Sequence, residues 1–186
     1  WELCREGLRE VAGWAEDYGV KLALQNHPPI IESFRDVLSM IREVGSESLK
    51  ACIDPELLFW TGDVDPRSDR VGDRLREIYG EFRDLLILVH VGDSDVGGGG
   101  VLWVAGGDGL MLRAERVVRV PLGRGFFGRI ADWFIDALRS IGYDGFLSYE
   151  ICSARYINHS LIDFEMVDEE VRRGVKYLRS LISKGY

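Results

Sequence analysis

Apolar residues recur along the chain in two alternating rhythms. From Leu3 through Leu8, Val11, Ala12 and Ala15 the spacing is helical, and Gly19 follows as a stop signal, so a helix is predicted over about 2–18. The next apolar run, Val20 to Gln25, is short and ends at a turn, Asn26-His27-Pro28-Pro29, which predicts a strand over 20–25. A helix is predicted over 32–44, opened by Glu32-Ser33 and closed by Gly45. Further strands are predicted at 49–54, 85–91 and 145–150. Pro55 reads as the start of a loop, and Asp65-Pro66 as the N-cap and first position of a helix running to about 82. A helix over 128–141 closes at Gly142, and a last one over about 161–183 carries Leu161, Phe164, Val167, Val171, Val175, Leu178 and Ile182 on one stripe.

The pattern breaks down between about 92 and 127. Two glycine-rich stretches, Gly97–Gly100 and Gly106-Gly107-Asp108-Gly109, flank an apolar Val101–Val104, which is expected to pair with Arg116–Val120 as a small hairpin. The glycine run lacks the Gly-Lys-Ser/Thr of a phosphate-binding loop. It is expected instead to be a flexible lid or a disordered insertion, since long irregular segments inside compact domains are usually functional or mobile.

Helices and strands alternate throughout, which implies a parallel sheet with crossover helices. An open four-stranded parallel sheet exposes unpaired backbone edges, whereas a closed barrel needs eight strands in typically about 250 residues. The simplest reading is half of a TIM-type (β/α)8 barrel, one partial domain over 1–186. The chain opens on Trp1 inside a helical pattern, so it reads as starting partway through a domain. The first half is expected to lie outside it or on another chain, and the open edges make a homo-oligomer or such an association expected.

Composition narrows the options. Of 186 residues, 46% are hydrophobic, enough for one core. The net charge of -8 argues against a general nucleic-acid binder, which needs a basic surface to contact phosphate. Cys4, Cys52 and Cys152 are odd in number and widely spaced, which indicates neither a zinc knuckle nor a disulfide framework and suggests a cytoplasmic setting. No apolar run reaches the roughly 18 residues that span a membrane, and no signal peptide is visible.

Candidate chemistry sits at the strand ends. Gln25, Asp54, His90 and Glu150 each close one apolar run. A barrel of parallel strands builds its active site from the C-terminal strand ends, and an Asp, a His, a Glu and an amide oxygen together suit one divalent ion such as Mn, Mg, Co or Zn. His27 follows Gln25 by two and falls on the same side of the strand if the strand extends that far, making it a candidate substrate contact. Asp93 is a candidate support for His90 or a contact with substrate, and Arg155 a candidate for a phosphate or carboxylate of the substrate. The blander alternatives are an N-cap for Asp54, plain packing for His90, an ion pair at the core edge for Glu150 and a structural hydrogen bond for Gln25. Glu56 and His159 read as structural or surface residues.

The segments carrying these residues resemble the xylose-isomerase-like superfamily of sugar isomerases and epimerases. Gly19-Val-Lys-Leu-Ala-Leu-Gln-Asn-His-Pro28 is similar to its "GV-x-LALENH" strand, Lys50-Ala-Cys-Ile-Asp54 to the next metal-ligand strand, and Val89-His90-Val-Gly-Asp93 to its "H-x-x-D" strand. Val120-Pro-Leu-Gly-Arg-Gly125, Ile141-Gly-Tyr-Asp-Gly145 and Ser148-Tyr-Glu150 resemble "PLGEG … IGYDG … SxE". The resemblance covers nearly the whole chain and implies barrel strands five to eight. It further implies one metal held by Gln25, Asp54, His90 and Glu150, with a carboxylate, here Glu150, moving the substrate proton. The implied substrate is a sugar, keto-sugar or related polyol.

The chain departs from that pattern at three places. Gln25 stands where Glu is usual and cannot act as a base; Leu57 stands where a His is frequent; Arg124 replaces the Glu of "GEG". Two-base epimerisation is therefore less expected than one-base isomerisation, dehydration of a keto-sugar or inosose, or C-glycoside cleavage by a lyase. Two rivals remain: a non-catalytic, degenerate barrel subunit, and an endonuclease-IV-like phosphodiesterase. The second is disfavoured because such sites gather more His and carboxylate ligands than three His allow.

Overall fold

The computed structural model describes residues 1–105, 111–151, 156–157, 160–161 and 163–184. Helix α1 (Glu2–Asp17) leads into β1 (Leu22–Gln25), α2 (Phe34–Val44), β2 (Leu49–Ile53), α3 (Pro55–Trp60), α4 (Val71–Glu81) and β3 (Leu86–Val91). The hairpin β4 (Ser94–Ala105) and β5 (Met111–Arg119) follows, then α5 (Phe126–Ser140), β6 (Phe146–Tyr149), the short pair β7 (Tyr156–Ile157) and β8 (Ser160–Leu161), and α6 (Phe164–Ser183).

Strands β1, β2, β3 and β6 form one parallel sheet in that order, each beside its predecessor. The expected α/β fold with a parallel sheet is thus present. Local chemistry sets its element boundaries. Ser33 caps α2 through a capping box with Asp36, and Gly45 ends the same helix in the left-handed region at φ 72°. Asp163 caps α6 by accepting from the Met166 N–H.

Alternation along each strand separates two faces. Leu22 and Leu24, Leu49, Ala51 and Ile53, Val89 and Val91, and Leu147 and Tyr149 all pack into or against one core with the helices. Its centre is aromatic, with Phe134 edge-on to both Tyr79 and Phe127 at ring separations of 5.7 and 5.3 Å. The other face of each strand carries Ala23 and Gln25, Lys50 and Cys52, Leu88 and His90, and Phe146 and Ser148. Among the described residues β1 and β6 are each paired on one side alone, and Phe146 is 79% exposed.

Several expectations are corrected. The helix expected from Asp65 begins at Val71, because Asp65 closes a local turn instead, its carboxylate accepting from the Arg67 N–H at 2.9 Å. Pro55 opens α3 rather than a loop, with Asp54 as its N-cap. The insertion is a longer hairpin than expected and in another register: Val101 lies opposite Glu115 and Val96 opposite Val117. Gly97–Gly100 falls within β4 as an irregular bulge between those pairs, not as a separate lid.

Candidate active site

The four parallel strands run in one direction, so their C-terminal ends meet at one edge. Gln25 is the last residue of β1, Asp54 follows β2, His90 is the last but one residue of β3, and Glu150 follows β6. The Glu150 N–H donates to the Val91 carbonyl at 3.0 Å, continuing the sheet pairing one residue past β6. His90 is level with Ser148 across that ladder. Its Nδ1 lies 3.1 Å from Glu150 Oε2. The approach lacks hydrogen-bond alignment, and Nδ1 is a buried atom without a bonded partner. The two form an ion pair when the imidazole is protonated.

Asp54 is buried, and burial raises its carboxyl to about 7, with the negative charges of Glu56 and Glu150 adding to the shift. The Glu56 N–H donating to Asp54 Oδ1 at 2.8 Å partly offsets this. Beside it on β2, the Cys52 thiol is pushed up to about 12, first by burial and then by Asp54 and Glu150, so it is a small apolar group rather than a nucleophile. Asn26, fully buried, ties the first two strand ends together: its Oδ1 accepts from the Asp54 N–H at 3.0 Å and its Nδ2 donates to the Asp54 carbonyl at 3.4 Å.

The structure brings Asp54, His90 and Glu150 to one edge but gives two other candidates different work. Asp93 is engaged by the loop before α5. Its buried carboxylate accepts the N–H groups of Gly123, Gly125 and Phe127, each at 2.9 Å, and so pins the loop entering α5. A Cβ at Gly125 would stand 2.6 Å from Asp93 Oδ1, so the glycine makes that approach possible. His27 lies beyond β1, which stops at Gln25, and pairs with Ile31 in an isolated antiparallel bridge. The imidazole is exposed, its Nδ1 2.8 Å from the Pro28 carbonyl oxygen. Arg155 lies outside the described residues. Arg124 is exposed in the turn after Pro121.

Three residues at this edge have roles the sequence reading missed or misplaced: Asn26, Glu56 and Arg119. Of the two readings for Glu56, structural or surface, the structural one holds: it is buried, and its carboxylate pairs with the Arg119 guanidinium. A lone acid inside Pro-Glu-Leu-Leu-Phe-Trp was the available signal, since an unpaired charge does not sit in an apolar turn. Asn26 and Arg119 carry no comparable pattern.

Among the described residues, no three His, Cys, Asp or Glu side chains converge closely enough to hold a metal ion. The donor set nevertheless fits a divalent cation chemically. Burial is the main cause of the raised Asp54 carboxyl, and a neutralising charge beside it would offset both that cost and the smaller repulsion from Glu56 and Glu150, while His90 Nδ1 has no hydrogen-bond partner.

A parallel α/β sheet with polar residues gathered at its C-terminal strand ends is the arrangement on which a (β/α)8 barrel builds a site. The family model for the xylose isomerase-like TIM barrel matches residues 1–181, and the chain belongs to that family. Solved structures agree in fold. A D-psicose 3-epimerase determined in the presence of D-fructose is 18% identical with a TM-score of 0.57, covering 96% of this chain and 55% of that one. The 3-keto-D-glucoside 4-epimerase YcjR from E. coli is 18% identical with a TM-score of 0.54, covering 96% and 53%. The probable 3-DHS dehydratase AsbF from Bacillus anthracis is 16% identical with a TM-score of 0.59, covering 94% and 55%. The chain therefore spans about half the length of the structures it matches. No curated protein sequence matches it.

Proposed function

We propose that this chain is the C-terminal half, strands five to eight, of a divalent-metal-dependent barrel enzyme that isomerises a sugar, keto-sugar or related polyol. The observation that carries the proposal is the placement of Asp54, His90 and Glu150 at the C-terminal ends of neighbouring parallel strands, with His90 Nδ1 3.1 Å from Glu150 Oε2. Gln25, Asp54, His90 and Glu150 are the residues that would hold the ion. When bound, such an ion polarises a carbonyl or hydroxyl oxygen of the substrate.

The chain's own residues supply the rest. Glu150 is the proton carrier: about a third exposed, it reaches solvent and the space above the strand ends, where a substrate C–H can approach. Asp54 is walled in by burial and held by Asn26 and the Glu56 N–H, so it orients rather than shuttles.

Gln25 decides between reactions. An amide cannot take a proton, so epimerisation that abstracts on one face and returns on the other lacks its second base. One-base isomerisation, with Glu150 removing and returning the proton on one face, needs no second base. Dehydration or β-elimination on a keto-sugar needs none either, and is the second reading.

The test is elemental mass spectrometry of the purified chain and of its Asp54→Ala/His90→Ala variant, followed by incubation with Mn²⁺ and a panel of keto-sugars in D2O. The expected outcome is bound metal lost in the variant, and solvent deuterium entering the carbon beside a carbonyl with loss of that label in Glu150→Gln. Metal binding without any deuterium entry or elimination product would favour a non-catalytic barrel subunit.

A further inference from the structure

Glu56 is the acid that the proposed chemistry leaves unused. It is 2% exposed, in a helical turn otherwise made of Pro55, Leu57, Leu58, Phe59 and Trp60. A carboxylate at that depth is costly unless it is paired and hydrogen-bonded. Its Oε2 pairs with Arg119 Nη1, and its Oε1 accepts from Trp60 Nε1 at 3.4 Å. The pair is seated on Gly92, where a Cβ would overlap Glu56 Oε2 and stand 3.0 Å from Arg119 Nη1.

One ion pair thus joins three elements. Glu56 is two residues past Asp54 and gives its N–H to the Asp54 carboxylate. Gly92 is two residues past His90. Arg119 ends β5, opposite Ser94 at the root of the hairpin. The hairpin root has a second, independent anchor, since Arg129 of α5 holds both oxygens of Asp95 at 3.0 and 2.9 Å. Loss of the Glu56–Arg119 pair would therefore be felt at α3 and Asp54 without freeing the hairpin.

We propose that Glu56 is a positioning residue: its pair with Arg119 clamps the helix behind Asp54 to the hairpin root behind His90, and so sets the separation of those two donor groups. The proposal rests on the metal reading above. A charge effect and a positioning effect have different signatures. If the pair acted through its charges alone, removing the acid would weaken cation binding and removing the guanidinium would strengthen it. A clamp weakens binding when either end is cut.

The experiment titrates Mn²⁺ into the whole chain, following free Mn²⁺ by electron paramagnetic resonance, for the wild type, Glu56→Gln, Arg119→Met, the double variant and Arg119→Lys. Both single losses are expected to weaken Mn²⁺ about 10–100-fold, the usual effect of removing a group that orients a ligand. The double variant is expected to be no weaker than the worse single one, and Arg119→Lys to recover part of the affinity. Opposite signs for the two single variants, or unchanged affinity in both, would overturn the clamp. Hydrogen exchange at the Glu56 and Leu58 amides is measured on the same samples. If the wild type binds no Mn²⁺, the metal reading falls and exchange decides the clamp. Faster exchange there in Arg119→Met upholds it, and unchanged exchange sinks it.

Discussion

Asp54 shows how burial and neighbouring charge make one carboxyl reveal its surroundings. Its folded value of about 7 lies above the ordinary aspartate value near 4, so between those pH values the folded chain holds a proton that the unfolded chain has released. The stability Asp54 contributes is present below about pH 4 and is lost as pH rises through 7. In Asp54→Asn the amide keeps the cap on α3 but has no proton to lose. Its melting temperature relative to wild type is therefore expected to climb from pH 4 to pH 8, by an amount equivalent to roughly 2–4 kcal/mol, in a pH series of thermal unfolding. Saturating Mn²⁺ at pH 8 is expected to reverse the order. A difference flat in pH would mean that Asp54 is not desolvated as described. Asp93 gives a second prediction. Its three N–H acceptances need both carboxylate oxygens, so Asp93→Asn leaves a donor facing donors and is expected to cost roughly 1.5–3 kcal/mol in urea unfolding.

Glycines at helix surfaces separate packing from propensity at the scale of the element. In α5 a Cβ at Gly128 would overlap the backbone carbonyl of Gly123, which no side-chain rotation relieves, so Gly128→Ala is expected to destabilise by about 1–3 kcal/mol. In α1 Gly13 has nothing within 4 Å of the same position, so Gly13→Ala is expected to stabilise by about 0.5–1 kcal/mol. Equal effects at the two sites would contradict the packing of α5 on the loop pinned by Asp93. These elements were legible to different degrees. The helices α1, α2, α5 and α6 and the four sheet strands follow directly from apolar period and stop signals, because each has one buried face. The start of α4 was not legible, because Asp-Pro at 65–66 is equally good chemistry for a turn, and only the tertiary setting around Asp63 and Arg74 chose it. The register of the hairpin was equally hidden, since glycines carry no side chains to mark a face.

For the molecule as a whole, β1 and β6 are each paired on one side alone among the described residues and Phe146 is exposed, so these edges could take a partner or a further segment. Sedimentation velocity on the isolated chain is expected to show concentration-dependent association that Phe146→Lys reduces; a monomer at all concentrations would show that these edges are tolerated bare. No helix among the described residues is long and apolar enough to cross a membrane. By itself the sequence determined the alternating α/β order and placed Gln25, Asp54, His90 and Glu150 at strand ends. Both are local consequences of where apolar runs start and stop. Only the tertiary structure decided which polar residues are tied into the scaffold. Asp93 and His27 share the spacing of functional residues, yet one spends its oxygens on a loop 30 residues away and the other stands beyond the end of its strand. Glu56 and Arg119 are separated by 63 residues, and no local pattern reports a contact that exists only once the hairpin folds back across Gly92.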